Sequence, residues 1–263
     1  MNEMVGGANF VGRQVYEFFL LFLKVSLSNV VGFIWMLILP FVLFIWQEHQ
    51  WFVHPPSPIE YNGVSAAYWG YMIVSGGLNG VGLSLLQMRE SGFLKMYRFI
   101  CGRTLPIVAA QILSLLLCTL LIITIFTMTT ALMFHVDAIR SLLVAYIVCI
   151  VSIIPIGLFF CWIPALPTRV QSISPVLNIM IGPLLYFAGM YAYHSFSTDI
   201  EVLNFLNPVT FVMRIAMVLF STFHILSRGP LHVVALLIVL LIYLVIGWFS
   251  YRHIRILSSV ART

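Results

Sequence analysis

Residues 87–104, with the sequence QMRESGFLKMYRFICGRT, form a short basic island between two long apolar segments. Within the island, apolar side chains recur at positions i, i+3, i+4 and i+7, a spacing that predicts a helix with one apolar face and one cationic face. The apolar set is Phe93, Met96, Tyr97 and Ile100, and the cations are Arg89, Lys95, Arg98 and Arg103. A helix of this kind suits the surface of a membrane, although an ordinary basic loop between two membrane spans would have the same composition.

Composition predicts an all-α membrane protein. The 263 residues are 62% hydrophobic and 8% charged, and the mean hydropathy is +1.06; soluble domains carry about 25% charged residues. We predict that residues 1–263 form a single transmembrane domain. The net charge of +5 does not indicate nucleic-acid binding, because the basic residues lie in short loops, where membrane orientation explains them.

Six apolar runs have the length of a membrane-spanning helix, which needs about 20 residues. The predicted spans are residues 28–46, 66–87, 105–134, 141–162, 174–193 and 231–251. Before them, residues 8–23 carry Arg13 and Glu17 among aromatic and aliphatic side chains. This segment is predicted to be an amphipathic helix that lies in the membrane interface.

The positive-inside rule places both termini in the cytoplasm. With that orientation, ten of the 13 Lys and Arg residues lie on the inner side, and Arg140, Arg214 and Arg228 lie outside. We also expect an aromatic belt at the outer surface, because such belts mark membrane interfaces. Its members are Trp46, Trp51, Tyr61, Tyr68 and Trp69.

Residues 207–227 are apolar over about one bilayer thickness but contain Arg214 and His224. A seventh span there would carry Arg252, Arg255 and Arg262 to the outer side, against the charge rule. We therefore predict a re-entrant outer helical hairpin over residues 204–228. Such a hairpin has to pack against the spans, because backbone polar groups are not tolerated in contact with lipid.

The sequence lacks the signatures of common enzymes and nucleotide-binding proteins. It has no GxxxxGK[ST] phosphate loop, HExxH zinc pair, GxSxG elbow or EF-hand loop. We expect no catalytic residues, no metal site and no cofactor bound directly. The cysteines, Cys101, Cys118, Cys149 and Cys161, lie in predicted spans or on the inner side, and are predicted to be free thiols.

Small and polar residues inside the predicted spans are candidates for helix packing or for a transport pathway. Gly76, Gly80 and Ser84 form a small-xxx-small ladder, which favours packing within the subunit or at a dimer seam. Interior amides serve either as interhelical hydrogen-bonding groups or as substrate ligands. Proline and glycine either kink a helix or let it bend during gating. The candidates are Gly76, Asn79, Gly80, Gln111, Asn178, Gly182 and Pro183.

Over nearly its whole length the chain resembles the permease subunits of type-2 ATP-binding-cassette (ABC) exporters. The matching features follow the family order: ANFVGRQVYEFFLLFLK (8–24) as the N-terminal amphipathic helix, FIWMLILPFVLFIW (33–46) as the first span, RESGFLKMYR (89–98) as the start of a cytoplasmic coupling helix, and LNPVTFVMR (206–214) before the last span. The Arg-Glu pair followed by a small residue is the most specific match.

The resemblance implies an exporter subunit of the bacterial plasma membrane, with a coupling helix at about residues 89–101. Its implied partners are two cytoplasmic ABC ATPase subunits, which would hold ATP and Mg, and a second permease subunit, identical or related. A hydrophobic or amphipathic substrate fits the apolar spans, and glycan export stays open. A non-transporting immunity or scaffold protein is the alternative, and an intramembrane enzyme is a third. The implied coupling residues are Arg89, Glu90, Gly92, Phe93, Lys95, Met96, Tyr97, Arg98 and Arg169.

Overall fold

A computed structural model describes residues 2–193, 206–222 and 230–254. These residues are mostly helical, with no strand in the described ranges. The α-helices are α1 (Asn2–Ser28), α2 (Val30–Gln47), α3 (Pro58–Gly76), α4 (Ser84–Glu90), α5 (Phe93–Cys101), α6 (Leu105–Met133), α7 (Ala138–Phe159), α8 (Val170–Tyr193), α9 (Pro208–Thr222) and α10 (Pro230–Arg252). Short 3₁₀ helices cover His49–Phe52 and Phe160–Ala165, and a π-helix covers Gly77–Leu83.

Local sequence signals explain where several helices begin. Asn29 accepts a hydrogen bond from the backbone of Gly32 at the start of α2. At α3, Ser57 and Glu60 form a capping box, and Pro58 occupies the first turn, where its missing N–H costs nothing. Asp137 caps α7 in the same way as Asn29 caps α2.

Four helical segments within the described residues are long and apolar enough to cross a membrane, which indicates a membrane protein. They are Leu105–Met133, Ala138–Ala165, Val170–Gly189 and Val233–Arg252, and they correspond to four of the six predicted spans. The predicted first span contains the shorter apolar helix Ile34–Gln47. The predicted second span lies in a continuous helical path through α3, the π-helix and α4.

Helix α3 forms the centre of the fold, and every residue from Tyr61 to Gly76 is buried. Helices α6, α7, α8 and α9 pack around it. Helix α9 approaches it closely, because a Cβ atom built on Gly70 would lie 2.7 Å from the backbone oxygen of Val209. One built on Gly63 would lie 3.4 Å from Met217, so the two helices run in opposite directions.

Only α9 and the residues just before it represent the predicted re-entrant segment, and the rest of residues 204–228 lies outside the described residues. The Asn-Pro pair fixes the start of this helix. Asn207 accepts a hydrogen bond from the backbone of Val209 and donates one to the carbonyl oxygen of Leu184 in α8, each at 2.9 Å. Tyr243 of α10 donates to the carbonyl of Leu206, also at 2.9 Å. The segment is therefore held between α8 and α10.

The predicted aromatic belt is largely a buried core. Tyr61 and Trp69 are fully buried, and Tyr68 is 2% exposed. Tyr61 pairs with the Thr130 hydroxyl at 2.8 Å, and the Trp69 ring N–H donates to Thr127 at 2.9 Å. These aromatic side chains face α6 because its threonines supply polar partners for their O–H and N–H groups. Trp46, by contrast, is 76% exposed, as an interfacial residue would be.

The N-terminal helix is longer than the predicted interfacial segment and is packed against the protein. Helix α1 runs to Ser28 and lies along α6. Its Phe22 side chain is 2% exposed. Phe18 and Phe22 contact the ring of Tyr97, with centroid distances of 5.1 and 6.1 Å. The N-terminal helix is therefore attached to α5 as well as to α6.

Candidate functional site

Arg89, at the end of α4, is buried and binds the connection between α7 and α8. Its side chain is 3% exposed. The Nη1 atom donates hydrogen bonds to the carbonyl oxygens of Pro164 (2.8 Å) and Leu166 (2.5 Å), and Nη2 donates to that of Thr168 (2.7 Å). Three carbonyl dipoles offset part of the cost of removing the guanidinium from water. Arg89 is therefore not a surface residue of a coupling helix.

Glu90 binds the same connection one residue further on. Its Oε1 accepts a hydrogen bond from the backbone N–H of Val170 at 2.8 Å. Val170 is the first residue of α8, where unpaired N–H groups and the helix dipole favour a carboxylate. Arg89 and Glu90 together fix the end of α4 to the start of α8; we call this contact the latch.

The predicted helix over residues 89–101 is divided into α4 and α5 by Ser91 and Gly92. Gly92 has φ +80°, and Gly102, after the last residue of α5, has φ +69°. Only glycine adopts this left-handed backbone readily. The two glycines therefore set both ends of α5, and the latch residues belong to the preceding helix.

Helix α5 contacts the protein through a face different from the predicted one. Leu94 is 1% exposed, and Tyr97 is half-buried against α1. The remaining apolar residues of the helix extend away from the protein and are 47% to 90% exposed. They are Phe93, Met96, Phe99 and Ile100. Lys95, Arg98 and, beyond the helix, Arg103 and Arg169 are also exposed, so the outer surface of α5 is both apolar and cationic.

The π-helix lies where the predicted small residues and interior amides meet. The Gln111 side-chain amide of α6 donates hydrogen bonds to the carbonyl oxygen of Gly80 and to the Ser84 hydroxyl. π-helical turns occur often at functional sites because they shift the register of the residues that follow. Gln111 therefore acts as an interhelical hydrogen-bonding residue that stabilises the irregular turn.

Asn79 connects the π-helix to α8. Its Nδ2 atom donates to the Ser75 carbonyl and to Oδ1 of Asn178, each at 3.0 Å. Asn178 in turn donates to the carbonyl of Ser174 at 2.9 Å. The structure thus brings together two of the three predicted amides, and Gln111 lies on the other side of the π-helix.

The predicted small residues serve two different purposes. A Cβ atom on Gly76 or Gly80 would lie 2.9 or 3.1 Å from Leu115 of α6, so both glycines permit close packing within the subunit. Gly182 and Pro183 are exposed on α8, and a Cβ atom on Gly182 would meet nothing within 4 Å. Gly182 therefore borders open space.

That open space is a cavity of about 590 Å³ between α2, α3 and α8. Both Asn178 and Gly182 line it, together with aromatic residues that the sequence patterns did not single out as a site. The aromatic lining residues are Trp46, Tyr68, Tyr71 and Tyr186. Periodicity within one segment does not identify them as a site, because they come from three helices, and α8 is distant in the sequence from α2 and α3.

The described residues contain no group of three or more His, Cys, Asp or Glu side chains that could hold a metal ion. All four cysteines are free thiols, as predicted, and only Cys101 is not buried. The candidate functional features of the described residues are the exposed surface of α5, the latch and the cavity.

No protein-family model, curated protein or solved structure matches this chain.

Proposed function

We propose that the chain is the transmembrane permease subunit of an ATP-driven ABC exporter. In this proposal it moves a hydrophobic or amphipathic substrate outward across the bacterial plasma membrane. Two cytoplasmic ATPase subunits hold ATP and Mg and supply the energy, and a second permease subunit completes the complex. The observation that carries the proposal is a continuous connection from the exposed helix α5 to the helix that lines the cavity.

The connection has three steps. Helix α5 follows α4 after two residues, so a force on α5 acts directly on the end of α4. The latch then joins that end to the start of α8, with three hydrogen bonds donated by Arg89 and one accepted by Glu90. Further along α8, Asn178 and Gly182 line the cavity. Movement of α5 would therefore be transmitted to the cavity wall.

The outer surface of α5 suits a soluble protein partner with an acidic and apolar groove. Lys95 and Arg98 are exposed beside Phe93 and Met96, which are 50% and 47% exposed. Helix-in-groove binding uses such a combination of apolar anchors and charges. Phe99 and Ile100, at 90% and 62% exposure, extend this surface beyond the residues that the family resemblance implies.

For the topology we propose six spans with both termini in the cytoplasm. The first span is α2, and the second is the helical path through α3, the π-helix and α4. Helix α9 is then the inner part of a re-entrant segment. It has 15 residues, which corresponds to roughly 22 Å, less than the ~30 Å hydrocarbon core. Its packing against the buried α3 supports this assignment.

Co-purification with a candidate ATPase, encoded beside this chain, tests the proposal. The native chain is expected to form a stable complex that hydrolyses ATP. Lys95→Glu combined with Arg98→Glu should reduce complex formation by roughly tenfold or more, since charge reversal turns two attractions into repulsions. These two residues are better targets than Arg89 or Glu90, because they are exposed and take no part in the latch.

Arg140→Glu is the matched control. Arg140 is an exposed cation in the first turn of α7. This turn follows the C-terminal end of α6, whereas α5 precedes the N-terminal end of α6. A glutamate in the first turn of a helix interacts favourably with the helix dipole. This variant should keep the complex intact. The exporter proposal fails if no ATPase associates with the native chain, and the immunity or scaffold function then takes its place. It also fails if the double reversal binds as the native chain does.

A further inference from the structure

The cavity between α2, α3 and α8 is lined by aromatic rings and carries no lysine or arginine among its described lining residues. Trp46, Tyr68, Tyr71 and Tyr186 contribute the rings. The faces of such rings carry partial negative charge and attract cations. Arg214 of α9 is buried at 5% exposure but does not line the cavity. The lining therefore favours a positive ligand over a negative one.

Two side-chain amides line the cavity, and both form hydrogen bonds within the protein. The Gln47 side-chain oxygen accepts from Tyr68. Asn178 accepts from Asn79 and donates to Ser174. A glycan or an extended peptide would require several hydrogen bonds from the wall, and unmet ones are costly. Apart from the two amides and the four aromatic residues, the described lining residues are aliphatic or glycine, so the cavity suits a ligand that forms few hydrogen bonds.

The size of the cavity fits a small molecule. Its volume of about 590 Å³ lies within the range of roughly 300–1,000 Å³ found for ligand pockets. Trp46 and Tyr186 are 76% and 64% exposed, so the cavity is open on the side where these two rings lie. A ligand can therefore enter without unfolding of the surrounding helices.

We infer that this cavity binds a lipophilic monocation, an apolar and aromatic-rich molecule with one delocalised or alkylated positive charge. The inference names the substrate class of the proposed exporter and in that respect rests on the proposed function. Binding itself requires no ATPase, because the cavity is formed by α2, α3 and α8 of one chain. The two proposals can therefore fail separately.

Equilibrium dialysis of the full chain in nanodiscs of zwitterionic lipid provides the test. The probes are tetraphenylphosphonium and tetraphenylborate, which have nearly the same size and shape but opposite charges. Binding above that of empty nanodiscs is expected to be saturable for the cation. Binding of the anion should be weaker by roughly tenfold or more, as the cation–π interaction with the aromatic rings predicts.

Gly182→Leu places a larger side chain in the cavity wall, where a Cβ atom meets nothing within 4 Å. It should weaken tetraphenylphosphonium binding by roughly tenfold or more. Gly12→Leu is the matched control: its position in α1 is equally open and does not line the cavity, so binding should be unchanged. If Gly182→Leu does not fold, Trp46→Leu replaces it, with an expected loss of about fivefold.

The inference is overturned if tetraphenylborate binds saturably and as tightly as tetraphenylphosphonium. It is also overturned if the cavity-filling variant, or its replacement at Trp46, binds the cation with the native affinity. A native chain that binds the cation but recruits no ATPase would remove the exporter proposal and keep this one. A native chain that recruits the ATPase but binds no cation would do the reverse.

Discussion

The carboxylate of Glu90 accepts a hydrogen bond from the backbone N–H of Val170 at 2.8 Å, although the two residues are 80 positions apart in the chain. This bond places a negative charge on the first turn of α8, where the helix dipole stabilises it. Beside it, Arg89 satisfies the carbonyl groups that precede the helix. The start of α8 therefore depends on the last two residues of α4.

The latch should break when the Arg89 guanidinium is replaced by an ammonium. The single ammonium group of Arg89→Lys cannot bind all three carbonyl oxygens that the planar guanidinium binds through two nitrogens. We expect a loss of about 2 kcal/mol in the free energy of unfolding. Thermal unfolding is measured by maleimide labelling of the buried thiols Cys118, Cys149 and Cys161. Hydrogen exchange at the start of α8 should become faster in the same variant.

Arg98→Lys provides the comparison, since Arg98 is exposed on α5 and the same substitution there should change stability by less than about 0.5 kcal/mol. Equal thermal stability of the two variants, with unchanged exchange at Val170, would show that the latch does not stabilise α8.

The contact between α3 and α9 should be sensitive to one methyl group. In Gly70→Ala the new Cβ atom would lie 2.7 Å from the Val209 backbone oxygen, so backbone has to move, at a cost of about 1–3 kcal/mol. Gly182→Ala, in open space, should be neutral or stabilising by up to about 1 kcal/mol. Unfolding temperatures of both variants check this, and a Gly70→Ala chain as stable as the native one would refute the close packing.

The apolar helices were largely predictable from the sequence, whereas the predicted helix over residues 89–101 missed the break at Gly92. Long apolar runs predict helices without knowledge of their neighbours, because a run of that length has few other stable structures in a membrane. Gly92 and Gly102 end a helix through their own backbone freedom. Both kinds of signal are local.

Features that depend on distant partners were not predictable in this way. Arg89 is buried because carbonyl groups 75 or more positions away receive its hydrogen bonds. Tyr61 and Trp69 are in the core because α6 offers threonine hydroxyls to them. The cavity likewise requires α2, α3 and α8 to assemble. A pattern within one segment contains none of this information.

The reactivity of Cys101 should depend on pH in a defined direction. Partial burial raises the pKa of this thiol above its ordinary value of 9.0. At a given pH the thiolate fraction of Cys101 is therefore smaller than that of a fully exposed cysteine. Since the thiolate is the nucleophile, maleimide labelling should be slow near pH 7 and still be accelerating above pH 9. Cys101→Ser identifies the signal by removing it. A labelling rate that levels off below pH 9 would contradict the expected environment.

The capping box at α3 should make the stability of the central helix depend on pH. The backbone N–H of Ser57 donates a hydrogen bond to the Glu60 carboxylate at 2.8 Å. This bond, and to a smaller extent a second one with the Ser57 side chain, lowers the pKa of Glu60 below its ordinary value of 4.5. A lowered pKa means that the ionised carboxylate stabilises the fold. This contribution is complete above pH 4.5 and is lost as the pH falls through the lower folded value.

Glu60→Gln should remove that part of the pH dependence, since the amide does not titrate in this range, while keeping a carbonyl oxygen that can accept from Ser57. Ser57→Ala should instead cost about 1 kcal/mol at neutral pH through loss of the cap. Unfolding temperatures measured from pH 3 to 7 for the native chain and both variants separate the two effects. If Glu60→Gln and the native chain lose stability in parallel on acidification, the acid sensitivity arises elsewhere, and the capping box does not control the start of α3.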